Sequence, residues 1–534
     1  MAIVGPRRQS RESVDGPNRT GNGQGVTVMA TDRPLLCGID AGTSQIRAIL
    51  FATDGRVVAH AAEPTPMREL GPGRAELDPE ALWRITVSLL RRVAAEAPDA
   101  AAIRSIAVAS VGEAGVLLDA DGRPLAPVMA WYDTRATAEL EQLLATIGFE
   151  QLHRITGLCP DPTFSLLKLL WLKRHEPELF ARARRWLNVA DYLAWRLSGE
   201  QATDPSLASR TLLLDLERRT WAASLLEATG LPASLLAPIL PGGSPLGRIR
   251  PELAGATSLP DDCVVGVGGH DHVCGMLAAG ADRPGILFDS MGTAEALTCI
   301  REAPLADPAL GWDGFNQGAI ELDRPFYYVF GGLPTAAAAV EWFRSVHGGL
   351  DHATLIAEAE AAPGDSDGVL FLPHLRLGSP PFPDPVGRGA FVGLSASTTR
   401  GALFRAVLEG IALDGANILG TMLRHLGARM PERILCVGGS TRNQLLMRLK
   451  ATAYGVPLAV LDLPDATCLG AALLGGIAAG IHADLAEARS RLEIPVRLVH
   501  PDSNGDEGTR LGRQAIYATA YATLRPLHAR LLDR

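Results

Sequence analysis

The stretch that most constrains this chain is Leu35–Phe51, in which two apolar runs flank Asp40-Ala41-Gly42-Thr43-Ser44. Apolar runs on either side of a short polar turn read as the two strands of a hairpin. Asp54-Gly55 and the apolar pair Val57-Val58 follow, adding a second tight turn and a third strand. The first turn has the parts of a phosphate and metal site. Gly42 lets backbone come close to a ligand, and Thr43 and Ser44 set hydroxyls beside backbone amides. Asp40 can hold Mg²⁺ directly or through its waters. The stretch is not a P-loop, because it lacks GxxxxGK[ST] and exits into a strand rather than a helix. Taken alone, it is equally an ordinary hairpin.

At 534 residues the chain exceeds a single hydrophobic core, so two or more domains are expected. A hydrophobic content of 47% with 20% charged residues is globular, and a net charge of −9 argues against nucleic acid or an anionic membrane as the main partner. The seven cysteines lie far apart and form no CxxC, which reads as reduced core thiols in a cytoplasmic protein. No apolar run reads as long and pure enough to span a bilayer. Residues 1–33 are rich in Arg, Gly, Ser and Asn without periodicity, and read as a disordered tail. Met29, just before the first strand, is a candidate start of translation.

Along the chain, Asp78-Pro79-Glu80 starts a helix running to about Ala97, and Ile103–Ser110 is a buried strand. That strand leads into Gly112-Glu113-Ala114-Gly115, where a carboxylate between glycines either faces a cleft or is a solvated loop residue. Pro127–Arg135 reads as a short strand ending in Trp131-Tyr132-Asp133, and residues 136–240 as helical. Cys263–Gly268 is a strand followed by Gly269-His270-Asp271-His272. Ile286–Leu297 then repeats the opening pattern, with Asp289 and a Gly292-Thr293 turn. Two domains of one architecture, each with a Gly-Thr turn at its sheet end, could grip a polyphosphate between them. Gly378–Gly389 is rich in Pro and Gly and too long for a simple turn, which suits a flap or a domain-packing loop. A long helix is expected from about Thr399 to Leu426 and a last one after about Ala515. Between them, Gly438-Gly439-Ser440 is a glycine turn of the kind that admits a nucleotide.

In this order the segments resemble the FGGY family of carbohydrate kinases, from about residue 35 to 500. Gly38–Ser44 looks like the first phosphate motif, with Arg47 where the family often has a basic residue. Ser165-Leu-Leu-Lys168-Leu-Leu-Trp171 resembles most of the first family signature. Gly389-Ala-Phe391-Val-Gly393 with Leu403–Glu409 resembles most of the second. Gly268–Asp271 looks like the segment of the catalytic aspartate, Gly292-Thr293 like the second phosphate loop, and Gly438–Asn443 like the adenosine motif. Thr163, Ala402 and Ser440 depart from the signatures. Gly112-Glu113 stands where xylulose kinases carry Met-His and glycerol kinases Arg-Glu, which puts the substrate in doubt rather than the reaction.

The resemblance implies an α/β protein of two ribonuclease-H-like domains, of the actin, hexokinase and Hsp70 superfamily, with a cleft between them. Residues 34–280 would bind sugar and carry the base, residues 281–500 would bind ATP, and 501–534 would be a helical extension. The implied reaction is ATP-dependent phosphorylation of a small sugar such as a ketopentose or ketohexose. A polyol or aldonate kinase and a non-kinase ATP-binding relative are the alternatives. An alcohol needs a carboxylate to accept its proton, and Asp271 is the expected base, with helix capping as its competing role. Asp40 would position Mg²⁺. Gly42, Thr43, Ser44, Arg47, Gly292 and Thr293 would meet phosphoryl groups, and Gly438, Gly439 and Asn443 the adenosine. Glu113, Trp131, Asp133, Asp271 and His272 would line the sugar site. The expected partner is a small molecule, not nucleic acid or membrane. Dimers are common in the family, by analogy alone.

Overall fold

The computed structural model describes residues 34–384, 387–502 and 507–532. The expected tail, residues 1–33 with Met29, lies outside them. The opening stretch forms the antiparallel strands β1 (Leu35–Ala41), β2 (Gln45–Ala52) and β3 (Val57–Pro64), with Gly55 at φ 84° in the second turn. β4 (Ile103–Ser110), β5 (Pro245–Arg248) and β6 (Val264–His270) complete a six-stranded sheet in the order β5-β6-β4-β1-β2-β3. Strands β1, β4 and β6 run parallel. Their carboxyl ends therefore share one edge, where open α/β sheets place ligands.

The second half repeats the plan. β7 (Leu287–Met291), β8 (Glu295–Arg301), β9 (Asn316–Glu321) and β10 (Pro325–Leu333) are joined by β11 (Ile434–Val437), β12 (Leu458–Leu461) and β13 (Val496–Val499). The order is β9-β10-β8-β7-β11-β12-β13, again with an antiparallel hairpin whose first strand pairs in parallel with a later one. The chain is thus an α/β protein of two similarly built halves.

Strand alternation decides what each face of β1 does. Cys37, Ile39 and Ala41 join the core beneath the helix Pro79–Glu96, with Leu82, Leu89 and Val93. Leu36 joins a different core, shared with Leu277, Phe288 and Leu469 and so built from both halves. Gly38 and Asp40 share the Leu36 face. A Cβ at Gly38 would lie 1.8 Å from the Cys468 carbonyl oxygen, so only glycine lets the helix Ala466–Ala478 rest on this sheet. That helix also crosses the helix Asp271–Ala279 at a glycine. A Cβ at Gly470 would lie 1.9 Å from the Cys274 carbonyl oxygen.

Several expectations need correction. Within 136–240 the strand Arg185–Asn188 pairs antiparallel with Gly115–Leu118, so the segment is not purely helical. Only Val128–Met129 is strand in the 127–135 segment. The last helix starts at Glu507, well before Ala515. The described part of the Gly378 loop packs on that helix, with the Tyr521 hydroxyl donating to Asp384 Oδ2 at 3.2 Å. The helix Arg400–Leu426, expected from about Thr399 and capped by it, is long and apolar enough by composition to cross a bilayer. However, 89% of its apolar window is buried inside the protein, where it serves as the core helix of the second half.

Candidate active site

Asp40 and Asp271 stand at the carboxyl-terminal edge of the first sheet, at the ends of β1 and β6, with β4 between them. Two strand spacings put about 10 Å between their backbones, room for a phosphoryl group and a metal ion. Asp40 is buried. Arg47, opposite it on β2, donates to Asp40 Oδ2 at 2.5 Å and to Asp465 Oδ1 at 3.1 Å, tying the first sheet to the second half. Despite this cation, burial pushes the Asp40 carboxyl up to about 6, and the charge of Asp271 adds to the rise. Its second oxygen, Oδ1, is buried with no hydrogen-bond partner among the described residues. A carboxylate oxygen left in this state is suited to a metal ion or a metal-bound water.

Asp271 is the first residue of its helix. His270 occupies the cap position without a side-chain cap bond, so capping does not explain Asp271. Its Oδ1 instead accepts from the His272 amide at 2.6 Å and lies 3.4 Å from His270 Nε2. Burial pushes His270 down to about 3, which keeps it neutral. The His270 amide donates to Ser206 Oγ, at 2.9 Å, fixing the strand end that presents Asp271. His272 stacks on His270 with ring centroids 5.5 Å apart.

Both Gly-Thr turns are closed by the glycine amide, the first being one residue longer than the second. Gly42 N donates to Gln45 O at 3.1 Å and Gly292 N to Ala294 O at 3.0 Å. Matching the hairpins by register sets Gly42-Thr43 on Gly292-Thr293 and Gln45 on Ala294, but Asp40 on Ser290. Asp289, the apparent partner of Asp40 by residue type, is one position out of step and points into the core of the second half. There Lys450 Nζ donates to Asp289 Oδ2 at 2.8 Å and also to Glu295. Gly438 needs its glycine, having φ 105° and a Cβ position 2.5 Å from the Met291 carbonyl oxygen. Gly439 has open space where a Cβ would be. Asn443 Oδ1 caps the helix Gln444–Tyr454 by accepting from Leu446 N at 3.1 Å.

Of the residues expected to line the sugar site, Trp131 is partly exposed and donates from Nε1 to Thr43 Oγ1 at 2.8 Å, linking it to the first turn. Asp133 is turned inward. It accepts from the Ala75 amide at 3.0 Å and pairs with Arg135 at 2.7 Å, which makes it an anchor for that loop rather than part of the cleft wall. Glu113 is buried and holds φ 59°, a left-handed backbone uncommon outside glycine. Its carbonyl accepts from Ser165 Oγ at 3.2 Å and Lys168 Nζ at 2.9 Å, and its side chain pairs with Arg210.

Residues 35–278 match the N-terminal domain of the FGGY family of carbohydrate kinases, and residues 288–479 match its C-terminal domain. The chain belongs to the FGGY family of carbohydrate kinases. A glycerol kinase of Bordetella parapertussis is 33% identical over 469 residues, covering 86% of this chain and 91% of that protein. A xylulose kinase of Klebsiella pneumoniae is 30% identical over 497 residues, covering 92% and 100%. The crystal structure of gluconate kinase from Lactobacillus acidophilus superposes with a TM-score of 0.86 at 23% identity, covering 93% of this chain and all of that one. The FGGY kinase described here is accordingly a phosphotransferase with an alcohol group as acceptor, and its two halves share the fold of the sugar kinases. Reading the sequence missed Arg210, Tyr328 and Phe330, which carry no motif and look like core residues until the fold brings them to Glu113.

Proposed function

We propose that this FGGY kinase transfers the γ-phosphoryl group of ATP to a hydroxyl of a small sugar, with Asp271 as general base. A ketopentose or ketohexose is the first candidate acceptor; a polyol or an aldonate is the alternative. The observation that carries the reading is the pair Asp40 and Asp271, set about two strand spacings apart at the sheet edge beneath the shared core.

In this reading the acceptor hydroxyl is held with its proton toward Asp271. As its oxygen bonds to phosphorus, the proton passes to the Asp271 carboxylate, and the bond to the β-phosphate oxygen breaks with ADP leaving. Asp271 suits the task because, among the described residues, nothing but a backbone amide and a neutral imidazole engages it. Mg²⁺ would neutralise phosphate charge as the transfer proceeds, and Asp40 Oδ1 is the atom that would hold it, directly or through water. The turns at Thr43-Ser44 and Thr293 would cradle phosphoryl oxygens, and the open space over Gly439 would take the adenosine. Trp131, Glu113 and His272 would face the acceptor. Seven free cysteines, six of them buried, fit a reducing cytoplasm.

The test is ADP release in a coupled assay over a panel of ketopentoses, ketohexoses, aldonates and polyols. On the best acceptor, Asp271→Asn should lower kcat by about 10²–10⁴ with the fold intact by circular dichroism. Near-normal turnover by that variant would make the assignment of the base wrong.

A further inference from the structure

The transfer chemistry leaves a set of buried groups around Glu113 unaccounted for. A Cβ at Gly112 would lie 2.7 Å from Arg210 Cγ and 2.9 Å from His270 Cδ2. The stem of Arg210 therefore fills the space that a side chain at 112 would need, and lies in the layer that touches the base-bearing strand end. The guanidinium is buried, at 8% exposure. Two of its nitrogens engage Glu113 Oε1, Nε at 2.6 Å and Nη2 at 2.5 Å, while Nη1 is buried with no hydrogen-bond partner among the described residues. Its Cζ lies 5.2 Å from the Phe164 ring of the first half and 5.0 Å from the Phe330 ring of the second. Tyr328, two residues before Phe330 on the same face of β10, has a buried hydroxyl that is also without a partner among the described residues. The charged groups that act on that hydroxyl are Arg210, Asp204, Glu113 and Asp271.

A buried N–H and a buried O–H left unpaired are costly, and such pairs persist where a ligand supplies the missing partners. The segment carrying Arg210 also grips both halves. Ser206 Oγ accepts from the His270 amide, and Ser209 Oγ accepts from the Ala319 amide of β9 at 2.9 Å.

We infer that Arg210 and Tyr328 are specificity-determining residues that bind neighbouring hydroxyls of an uncharged acceptor, one from each wall of the cleft. The inference rests on the kinase reading above. Arg210 Nη1 donates to one acceptor oxygen, and Glu113 Oε2, which engages none of the described residues, accepts a hydrogen bond from a hydroxyl. Tyr328 does either for the adjoining hydroxyl. The charge count selects the class. Glu113 balances Arg210, and Asp271 adds a further negative charge close by, so an acceptor bearing its own carboxylate would meet net repulsion. Sugars and polyols fit; aldonates do not.

The test uses the full-length enzyme, the same acceptor panel, and the variants Arg210→Lys and Tyr328→Phe. Arg210→Lys keeps a cation against Glu113 but loses the fork, and Tyr328→Phe removes only a hydroxyl. For the best acceptor, kcat/KM should fall about 100-fold in the first and about tenfold in the second. The loss should lie mainly in the acceptor KM, with the nucleotide KM within about twofold of wild type. The best acceptor should be uncharged. Wild-type kcat/KM in both variants, or an aldonate as best acceptor, overturns the inference. If the wild type phosphorylates nothing, calorimetry with the same compounds separates the two readings. An uncharged compound bound by wild type and lost by Arg210→Lys sustains the inference while the kinase reading falls. Binding equal in both, or of no uncharged compound, overturns the inference.

Discussion

Replacing Gly470 by alanine would set a methyl carbon 1.9 Å from the Cys274 carbonyl oxygen and 2.5 Å from its carbon. An ordinary carbon–oxygen contact is about 3.4 Å, so the helices Asp271–Ala279 and Ala466–Ala478 must separate by over ~1 Å. The obstruction is backbone and cannot rotate away. Overpacking of this kind costs about 1–3 kcal/mol. The larger effect is on chemistry. The first helix presents Asp271 at its start, and the second is preceded by Asp465, which holds Arg47 and through it Asp40. A misplacement of about 1 Å between reacting groups lowers rates by about 10²-fold. Gly470→Ala should therefore fold, melt a few degrees lower, and lose about 10² in kcat in the coupled assay. Gly275→Ala is the matched control. Its new methyl would meet Thr467 Oγ1 at 3.6 Å and Ala466 Cβ at 3.7 Å, both ordinary contacts, and alanine favours the helix by about 1 kcal/mol. If Gly470→Ala matched Gly275→Ala in melting temperature and kcat, the claim that this glycine contact sets the distance between the two carboxylates would be refuted.

Two further outcomes are expected. Burial raises Asp40 to about 6, so between about pH 4 and 6 the folded protein keeps a proton that the unfolded chain has released. Stability without nucleotide should therefore fall as pH rises through that window, by about 3 kcal/mol, while Mg-nucleotide affinity climbs as the carboxylate ionises. Asp40→Asn should flatten both trends in paired thermal-shift and binding titrations across this range. Lys168 is fully buried, brought down to about 7 by that burial, and donates to the carbonyls of Glu113 and Ala130 at 2.9 and 2.7 Å. Lys168→Met should cost about 1–3 kcal/mol and raise the acceptor KM more than the nucleotide KM. Equal changes in both would reduce Lys168 to a packing role.

The opening hairpin was legible because period-2 apolar runs flank a turn of small polar residues, a pattern that depends on neighbours in sequence. Its repeat at Gly292-Thr293 was legible for the same reason. Asp289 is nevertheless no counterpart of Asp40, because a one-residue slip in a strand reverses the face on which a side chain emerges. Asp133 looked like a cleft residue, yet its carboxylate is taken up by Arg135 and a backbone amide. Gly112 read as the loss of a side chain beside Glu113. The structure fills that space from Arg210, 97 positions beyond Glu113. No local pattern could reveal that pairing, and Tyr328 and Phe330 are apolar-looking members of a strand until the two halves meet.

The contact at Gly38 also bears on how the chain is made. The first sheet has all its strands once His270 has been synthesised, but the helix that covers its Leu36 face ends only at Ala478. At about 5–20 residues per second, the roughly 200 intervening residues take about 10–40 s to emerge. During that interval a nearly finished domain carries a bare apolar face, which is the condition that recruits holdase chaperones in a cell. It also means that a fragment ending near residue 280 would keep that face exposed for good.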